Sequence, residues 1–399
     1  MKKADIKQAI LLRGKEKSLS RRHPWLFSGA LKSVDKDIEE GDVVRVVSNY
    51  GDFLCVGHWQ SGSIAVKILS FEDIEIDFDF ILQRVQKAVE LRRDMGLFDD
   101  KDTTIFRLVN GEGDFLPSLI ADYYEGLVVL QFHSVGMWRL REEIVEAFKQ
   151  VLQADCKAVF SKSSSTLPKQ CKFGTKDEFL FGNLPEDWFA RENALTYRID
   201  YALGQKTGFF IDQRENRRLV AQYAKGRKVL NAFAYTGGFS LSAIKAEAKE
   251  VVSLDISARA VRICEDNVKM NFAENTTHIG EVADVLDYLD SLEKGRFDLI
   301  VLDPPAFAKH QRNLQQALKG YRAINQKAME KIASGGLLFT FSCSQAVCKE
   351  DFATMLFSCA ALSGRNVRII KHLAAGTDHP QSIFHPEGSY LKGMLLYIE

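Results

Sequence analysis

Four residues in the second half of the chain stand where an α/β sheet usually does its chemistry. Asp255, Asp284 and Asp303 each close a short run of β-forming residues, and Cys343 closes another. A carboxylate at the end of a second strand, as Asp255 is, can grip a ribose diol. Otherwise it would cap the following helix, which Ser257 can already do. Asp284, after the third strand, can accept a hydrogen bond from the exocyclic amine of adenine, or serve as a surface acid. Asp303 opens the run Asp303-Pro304-Pro305-Ala306-Phe307. Consecutive prolines fix φ and hold a rigid, extended exit from the strand. Such a platform suits a base flipped out of a nucleic acid, although a plain proline-terminated strand is the alternative. Cys343 lies between two serines at the end of the fifth strand. A thiolate there could add to carbon-6 of a cytosine and make carbon-5 enamine-like, with a later elimination restoring the ring. The alternative is an inert buried thiol, as expected for Cys264 and Cys359 within helices.

The elements that must hold these residues are legible around Lys228 to Asp255, KVLNAFAYTGGFSLSAIKAEAKEVVSLD. This reads as strand, glycine turn, helix, strand and acid, the first half of a nucleotide-binding unit. The turn lacks the GxGxxG spacing that rests a pyrophosphate on a helix N-terminus. An adenosine ligand without pyrophosphate fits better, with S-adenosylmethionine the candidate, against an ordinary βαβ crossover. Upstream, Gly204 to Arg217 (GQKTGFFIDQRENR) is a glycine-flanked loop leading into an Asp-capped helix, and it could close over a ligand. From about residue 196 onward, strands alternate with helices, which predicts a parallel sheet with helices on both faces. Strands are expected at 228–231, 251–254, 278–283, 297–302, 336–342, 366–370 and 390–398, the last free to pair antiparallel. Helices are expected at 213–225, 239–248, 258–272, 313–333 and 350–362.

Residues 1–72 predict a small β-barrel from short strands at about ten-residue spacing. Trp25 and Phe27 are expected in its core rather than as base-stacking platforms. Residues 73–195 predict an α+β piece. It would hold a helix from Phe80 to Met95 capped by Asp79, strands at Ile105–Val109, Leu116–Asp122 and Leu127–His133, and a helix over Trp138–Leu152. A strand at Ala158–Phe160 follows. Gly111-Glu112-Gly113-Asp114 precedes no helix, so it predicts a hairpin turn rather than a phosphate loop.

The chain has 399 residues, enough for two or three domains, and its 53 basic and 53 acidic residues cancel. Residues 1–22 nonetheless hold eight Lys or Arg against Asp5 and Glu16. Arg21 and Arg22 close this arm, which is either a solvated face or a contact for phosphate. Lys162, Lys169 and Lys172 lie in an acid-free stretch with the same two readings. Seven cysteines without a CxxC pair argue against disulfides and zinc and for a reducing cytoplasm. No signal peptide or membrane span is expected, and no metal.

GQKTGFFIDQRENR, NAFAYTGGFSL, DPPAFAK, FSCS, HPWLFSGA, GEGDFLPSLIADYY and HPEGSYLKGMLLY together resemble the bacterial 23S rRNA cytosine-5 methyltransferases of the RlmI type over nearly the whole chain. The resemblance implies a PUA-like RNA-binding domain, a central domain with a protruding basic hairpin, and a Rossmann-like class I methyltransferase domain using S-adenosylmethionine. It implies cofactor contacts at Lys206, Thr207 and Gln213, at Asn231, Tyr235 and Gly237, at Asp255 with Ile256, at Asp284 with Val285, and at Asp303. Cys343 would be the nucleophile, Asp303 would position the base, and Phe307 would meet the RNA. The partner implied is 23S rRNA, and a homodimer is one assembly open to the chain. One departure stands out: Phe115 stands where relatives often carry glycine. Ala306, which separates the prolines from the aromatic that follows them directly in amino-group methyltransferases, weakens an amino-group reading of the platform. Because the core is shared with guanine-methylating enzymes, methylation of a guanine or adenine nitrogen is the alternative activity. A non-catalytic RNA-binding protein is the rival of another class.

Overall fold

β-Branched, leucine and aromatic residues between Lys228 and Ile398 build one seven-stranded sheet. Its strands are β1 Lys228–Ala232, β2 Glu250–Asp255, β3 His278–Val282, β4 Leu299–Leu302, β5 Gly336–Ser342, β6 Val367–Leu373 and β7 Lys392–Ile398. They lie in the order β3-β2-β1-β4-β5-β7-β6. β1 to β5 are parallel, so their carboxyl ends share one edge. β7 runs antiparallel to both β5 and β6, as the missing crossover helix before it predicts. Strand order reverses between β1 and β4, and ligands of open α/β sheets bind at such a point.

The coordinates, a computed structural model, describe residues 6–168, 175–274, 277–308 and 311–399. The chain divides into two units. The sheet belongs to Glu192–Arg198, Phe210–Gly376 and Ser389–Glu399; the other unit is Met1–Arg191, Ile199–Phe209 and Thr377–Gly388. Among the described residues six helices flank the sheet: α1 Arg214–Ala224, α2 Gly238–Lys245, α3 Ala258–Asn271, α4 Val285–Ser291, α5 Leu314–Lys331 and α6 Lys349–Ser363. On one face Leu230, Ile300 and Leu338 pack with Tyr321 and Ile324 of α5 and Phe352 and Met355 of α6. On the other, Phe341 of β5 stacks on Phe239 of α2 with centroids 5.8 Å apart, and Phe339 meets Tyr223 of α1. Every residue of β5 is buried, which is why the run Gly336–Ser342 is apolar without alternation. α1 departs from expectation: Gln213, not Asp212, is its N-cap, and no side chain caps it.

Among its described residues the other unit carries two sheets of five or more strands. The first has six strands in the order Trp25–Phe27, Ile64–Ser70, Phe53–Trp59, Val43–Val47, Lys7–Leu11 and Leu31–Val34. Irregularities in register interrupt four of its five pairings. Bulges of this kind bend strands and let a small sheet wrap Leu26, Val44, Val46 and Val66. Trp25 is only half-buried and Phe27 is 42% exposed, so neither is the core residue the sequence predicts. The second sheet has five strands, Glu178–Gly182, Ala158–Ser161, Leu127–Phe132, Leu119–Tyr124 and Ile105–Asn110 in spatial order. Residues Gly111–Asp114 turn between two antiparallel strands, as expected.

The helix over this sheet runs Phe78–Asp94, and its cap is Asp77, whose carboxylate accepts from the Phe80 amide at 2.9 Å. Asp79 falls inside the first turn, so the predicted cap was two residues late. Asp77→Ala is expected to lower the stability of this unit by about 1 kcal/mol, read as an earlier urea midpoint. Asp79→Ala, losing only a dipole contribution, should move it by about half as much. The helix expected over 138–152 is two, Val135–Arg139 and Arg141–Leu152, with Ser134 capping the first.

Candidate active site

Beyond β1 the chain turns through three residues at positive φ: Phe233 at 61°, Tyr235 at 47° and Gly237 at 88°. Two of these are not glycine, and such backbone persists where surrounding contacts fix it. Asp255 is one such contact. Its Oδ2 accepts from the Tyr235 amide and its Oδ1 from the Ser257 amide, both at 2.9 Å. Asp255 therefore clasps the glycine turn to the end of β2, while Ser257 caps α3. A carboxylate oxygen has two lone pairs, so each keeps one for a diol. Ile256 beside it is 73% exposed and offers an apolar surface at the same edge. A β-carbon on Gly237 would lie 2.3 Å from the Cys264 sulfur, so both conformation and close approach require glycine.

Asn231 is buried, and its Nδ2 donates to Ser240 Oγ at 2.8 Å, which in turn pairs with Ser253 Oγ at 2.6 Å. The amide ties β1, α2 and β2 together. Asp284 caps α4, its Oδ1 accepting from Leu286 at 2.8 Å and Asp287 at 3.2 Å. The Val285 side chain belongs to the core, so a ligand at this edge would meet its main chain.

At the switch point Asp303 leaves β4 half-buried, and Gln213 Nε2 donates to its Oδ1 at 3.0 Å. Gln213 is itself held by Asn216, whose Nδ2 donates to Oε1 at 2.6 Å. A chain of two amides thus orients the carboxylate. Cys343 leaves the neighbouring strand, and its sulfur lies 3.8 Å from the Pro304 carbonyl oxygen, a long contact for a thiol donor. Of the cysteines singled out by sequence, Cys343 is partly exposed, whereas Cys264 and Cys359 are buried in helices as expected. Ser344, next in the chain, accepts from the Ala308 amide and pairs with the Tyr321 hydroxyl at 2.9 Å. Phe307 packs on Tyr321 with centroids 4.6 Å apart, so much of the ring expected to meet RNA is spent on the core.

The side chain that sequence reasoning missed is Lys392. It opens β7 opposite Ser342, is 4% exposed, and donates from Nζ to the Ser344 carbonyl oxygen at 2.7 Å. Among the described residues no carboxylate lies within salt-bridge distance of it. Burial pulls its pKa down to about 8, and the charge of Cys343 opposes that fall. A lone lysine at the head of the otherwise apolar strand LKGMLLYI was the available signal.

The remaining expected contacts lie in the first unit. Thr207 is buried there: its hydroxyl donates to Asp122 Oδ2 at 2.6 Å and meets the Tyr124 hydroxyl at 2.8 Å. Arg107 grips the same carboxylate through Nε and Nη2. The Thr207 side chain is thereby tied to Asp122 and Tyr124. Lys206 beside it sits at φ 48° and is half-buried. Lys162 is buried, its ammonium on the Gly204 carbonyl, which corrects its place in an exposed basic stretch. Arg21 and Arg22 are exposed. Lys169 and Lys172 lie outside the described residues.

Among the described residues no group of three or more ligating side chains gathers for a metal, and no helix is long and apolar enough to cross a membrane. A family model of S-adenosylmethionine-dependent methyltransferases matches residues 106–382, and one of PUA-like domains matches residues 9–71. The ribosomal RNA large subunit methyltransferase I of Aeromonas salmonicida is 37% identical over 393 residues, covering 97% of this chain and 98% of its own. That of Shewanella frigidimarina is 38% identical over 390 residues, covering 96% and 97%. Among solved structures, a candidate SAM-dependent methyltransferase from Streptococcus mutans superposes with a TM-score of 0.84 at 22% identity, covering 98% of this chain and 99% of that one. A methyltransferase structure in complex with SAH aligns equally well.

Proposed function

We propose that this chain, which belongs to the S-adenosylmethionine-dependent methyltransferase family, methylates carbon-5 of a cytosine in 23S ribosomal RNA through a bond from Cys343 to carbon-6. The observation that carries the reading is the approach of Cys343 to Pro304: the thiol stands at the end of β5, 3.8 Å from the carbonyl of the rigid exit of β4. A nucleophile and a base platform leave adjacent strands at the edge where such sheets bind ligands. Transfer to an exocyclic amine would have no use for a thiol. The ribosomal substrate is carried by relatives named for the large subunit and matched over almost their full length.

The residues present fit the methyl donor. Asp255 would hold the ribose diol with the lone pairs its two amide bonds leave free, Ile256 would cover the adenine face, and Asp284 would take the adenine amine. Gly237 and the Tyr235 backbone let the ligand approach the main chain. When bound, S-adenosylmethionine supplies an electrophilic methyl group. Asp303, fixed by Gln213, and the two prolines would position the extruded cytosine. The Cys343 thiolate adds to carbon-6, and the electron pair of the 5,6 bond moves to carbon-5, which takes the methyl group. Loss of the carbon-5 proton and expulsion of the thiolate then restore the ring.

Unmodified 23S rRNA, naked and in assembled large subunits, tests this when incubated with the chain and methyl-labelled donor and digested to nucleosides. Mass spectrometry should find the label in 5-methylcytidine. Label in a methylated guanosine or adenosine would sink the cytosine reading, and no label in either form of the substrate would sink catalysis on this RNA.

A further inference from the structure

A cleft of about 580 Å³ opens in the first unit, walled by the end of strand Ile64–Ser70, the helix Phe78–Asp94 and the segment that follows Gly111. Two guanidinium groups lie on aromatic faces there. Arg84 is 5.1 Å from the ring centroid of Phe80 and 5.6 Å from that of Phe115; Arg22 is 5.1 Å from that of Phe71. Phe115 and Arg22 both sit at φ 57°, a conformation that side chains with a β-carbon rarely adopt. Phe115 is also 51% exposed, so burial of its ring does not account for a large aromatic at a site where glycine would be unstrained. An exposed aromatic held in strained backbone at a cleft is a mark of binding rather than packing.

We infer that this cleft takes an unpaired nucleotide of the RNA substrate, with the base against Phe115 and the flanking phosphates near Arg84, Arg22 and Lys87. Only the identity of the polymer rests on the function proposed above. Open aromatic faces beside guanidinium groups are how proteins hold single-stranded RNA, because every base has a stacking face and every linkage a negative charge. Glu72 and Glu112 also line the cleft. Glu112 accepts from Trp25 Nε1 at 2.9 Å and keeps its charge, so three cations face two carboxylates and the lining carries one net positive charge. A duplex, with its bases stacked internally, offers nothing to the Phe115 ring.

Fluorescence anisotropy of the full chain with a labelled, unstructured 12-nucleotide oligo(A) RNA tests the inference. Phe115→Gly should melt at or above the wild-type temperature, since the strain is released, yet bind the oligonucleotide roughly tenfold more weakly. Phe115→Trp should keep the affinity. Arg84→Met should weaken binding and flatten its salt dependence, whereas Phe115→Gly should leave the slope unchanged. A 12-base-pair RNA duplex should bind wild type and Phe115→Gly alike. Wild type that fails to bind oligo(A), or Phe115→Gly that binds it as wild type does, overturns the inference. Neither readout requires methyl transfer, so failure of the catalytic reading would leave this result standing, and the reverse also holds.

Discussion

Cys343→Ser is expected to abolish methyl transfer to RNA, by on the order of 10³-fold or more, while changing S-adenosylmethionine affinity by less than about twofold. The two halves of this prediction come from different strand ends. The donor would be held at β1 and β2, by Asp255 and the turn through Gly237, with β4 between those strands and β5. The proposed nucleophile stands at the end of β5, and serine keeps its shape but not its acidity. A hydroxyl is hardly ionised at neutral pH, so addition to carbon-6 loses its attacking anion. Transfer of labelled methyl to 23S rRNA measures the first half and isothermal titration the second. RNA carrying 5-fluorocytidine adds a further readout: with no carbon-5 proton to lose, wild type should remain covalently attached and the serine variant should not. Full activity in Cys343→Ser would discard the covalent mechanism and turn attention to a guanine or adenine nitrogen.

The strand ends were legible because a parallel sheet needs only local information to place them. Each crossover returns the chain to the same edge, so the residue closing each apolar run is at the ligand side wherever the strand sits in the order. Asp255, Asp284, Asp303 and Cys343 were found in this way, and the antiparallel β7 followed from a missing helix. What escaped depends on pairings distant in sequence. Lys392 approaches Ser344 only because β7 lies beside β5, and Gln213 reaches Asp303 across 90 residues. Lys162 was read into an exposed basic stretch, which failed, and the side-chain partners of Asn231 and Thr207 were not foreseen. Each of them found a buried partner, and nothing in the neighbouring sequence announces one. The misplaced helix cap has a smaller cause. Asp77 and Asp79 are equally good caps by type, and only the extended backbone at Asp77, φ −117° and ψ −172°, decides between them.

Lys392→Met is expected to raise the pH at which Cys343 becomes reactive by about one unit, and so to slow methyl transfer at pH 7 about tenfold, whereas Lys392→Arg keeps both. A cation beside a thiol favours the thiolate, and the Pro304 carbonyl, as an acceptor, favours the thiol. Lys392 therefore opposes Pro304. The groups that act on Lys392 are Cys343, Cys348 and Lys349, and Tyr321 stands near Cys343 with its hydroxyl pushed up mainly by burial. Tyr321 thus stays neutral over the working range, and Lys392 is a cation coupled to the thiol. With its pKa at about 8, Lys392 is charged at pH 7 and loses its effect as pH rises through 8. Wild type and the arginine variant should then agree at pH 7 and diverge above pH 8. Rates of iodoacetamide labelling at Cys343, followed by peptide mass spectrometry across pH, report this without RNA. Stability should move the other way from activity. Burial puts the folded pKa below the ordinary lysine value of 10.5, so the charged side chain destabilises the fold fully below pH 8 and ceases to do so above about pH 10.5. Methionine removes that penalty, and Lys392→Met should melt later than wild type at pH 7. A merely structural lysine would give the opposite result, an earlier melt with the thiol titration unmoved.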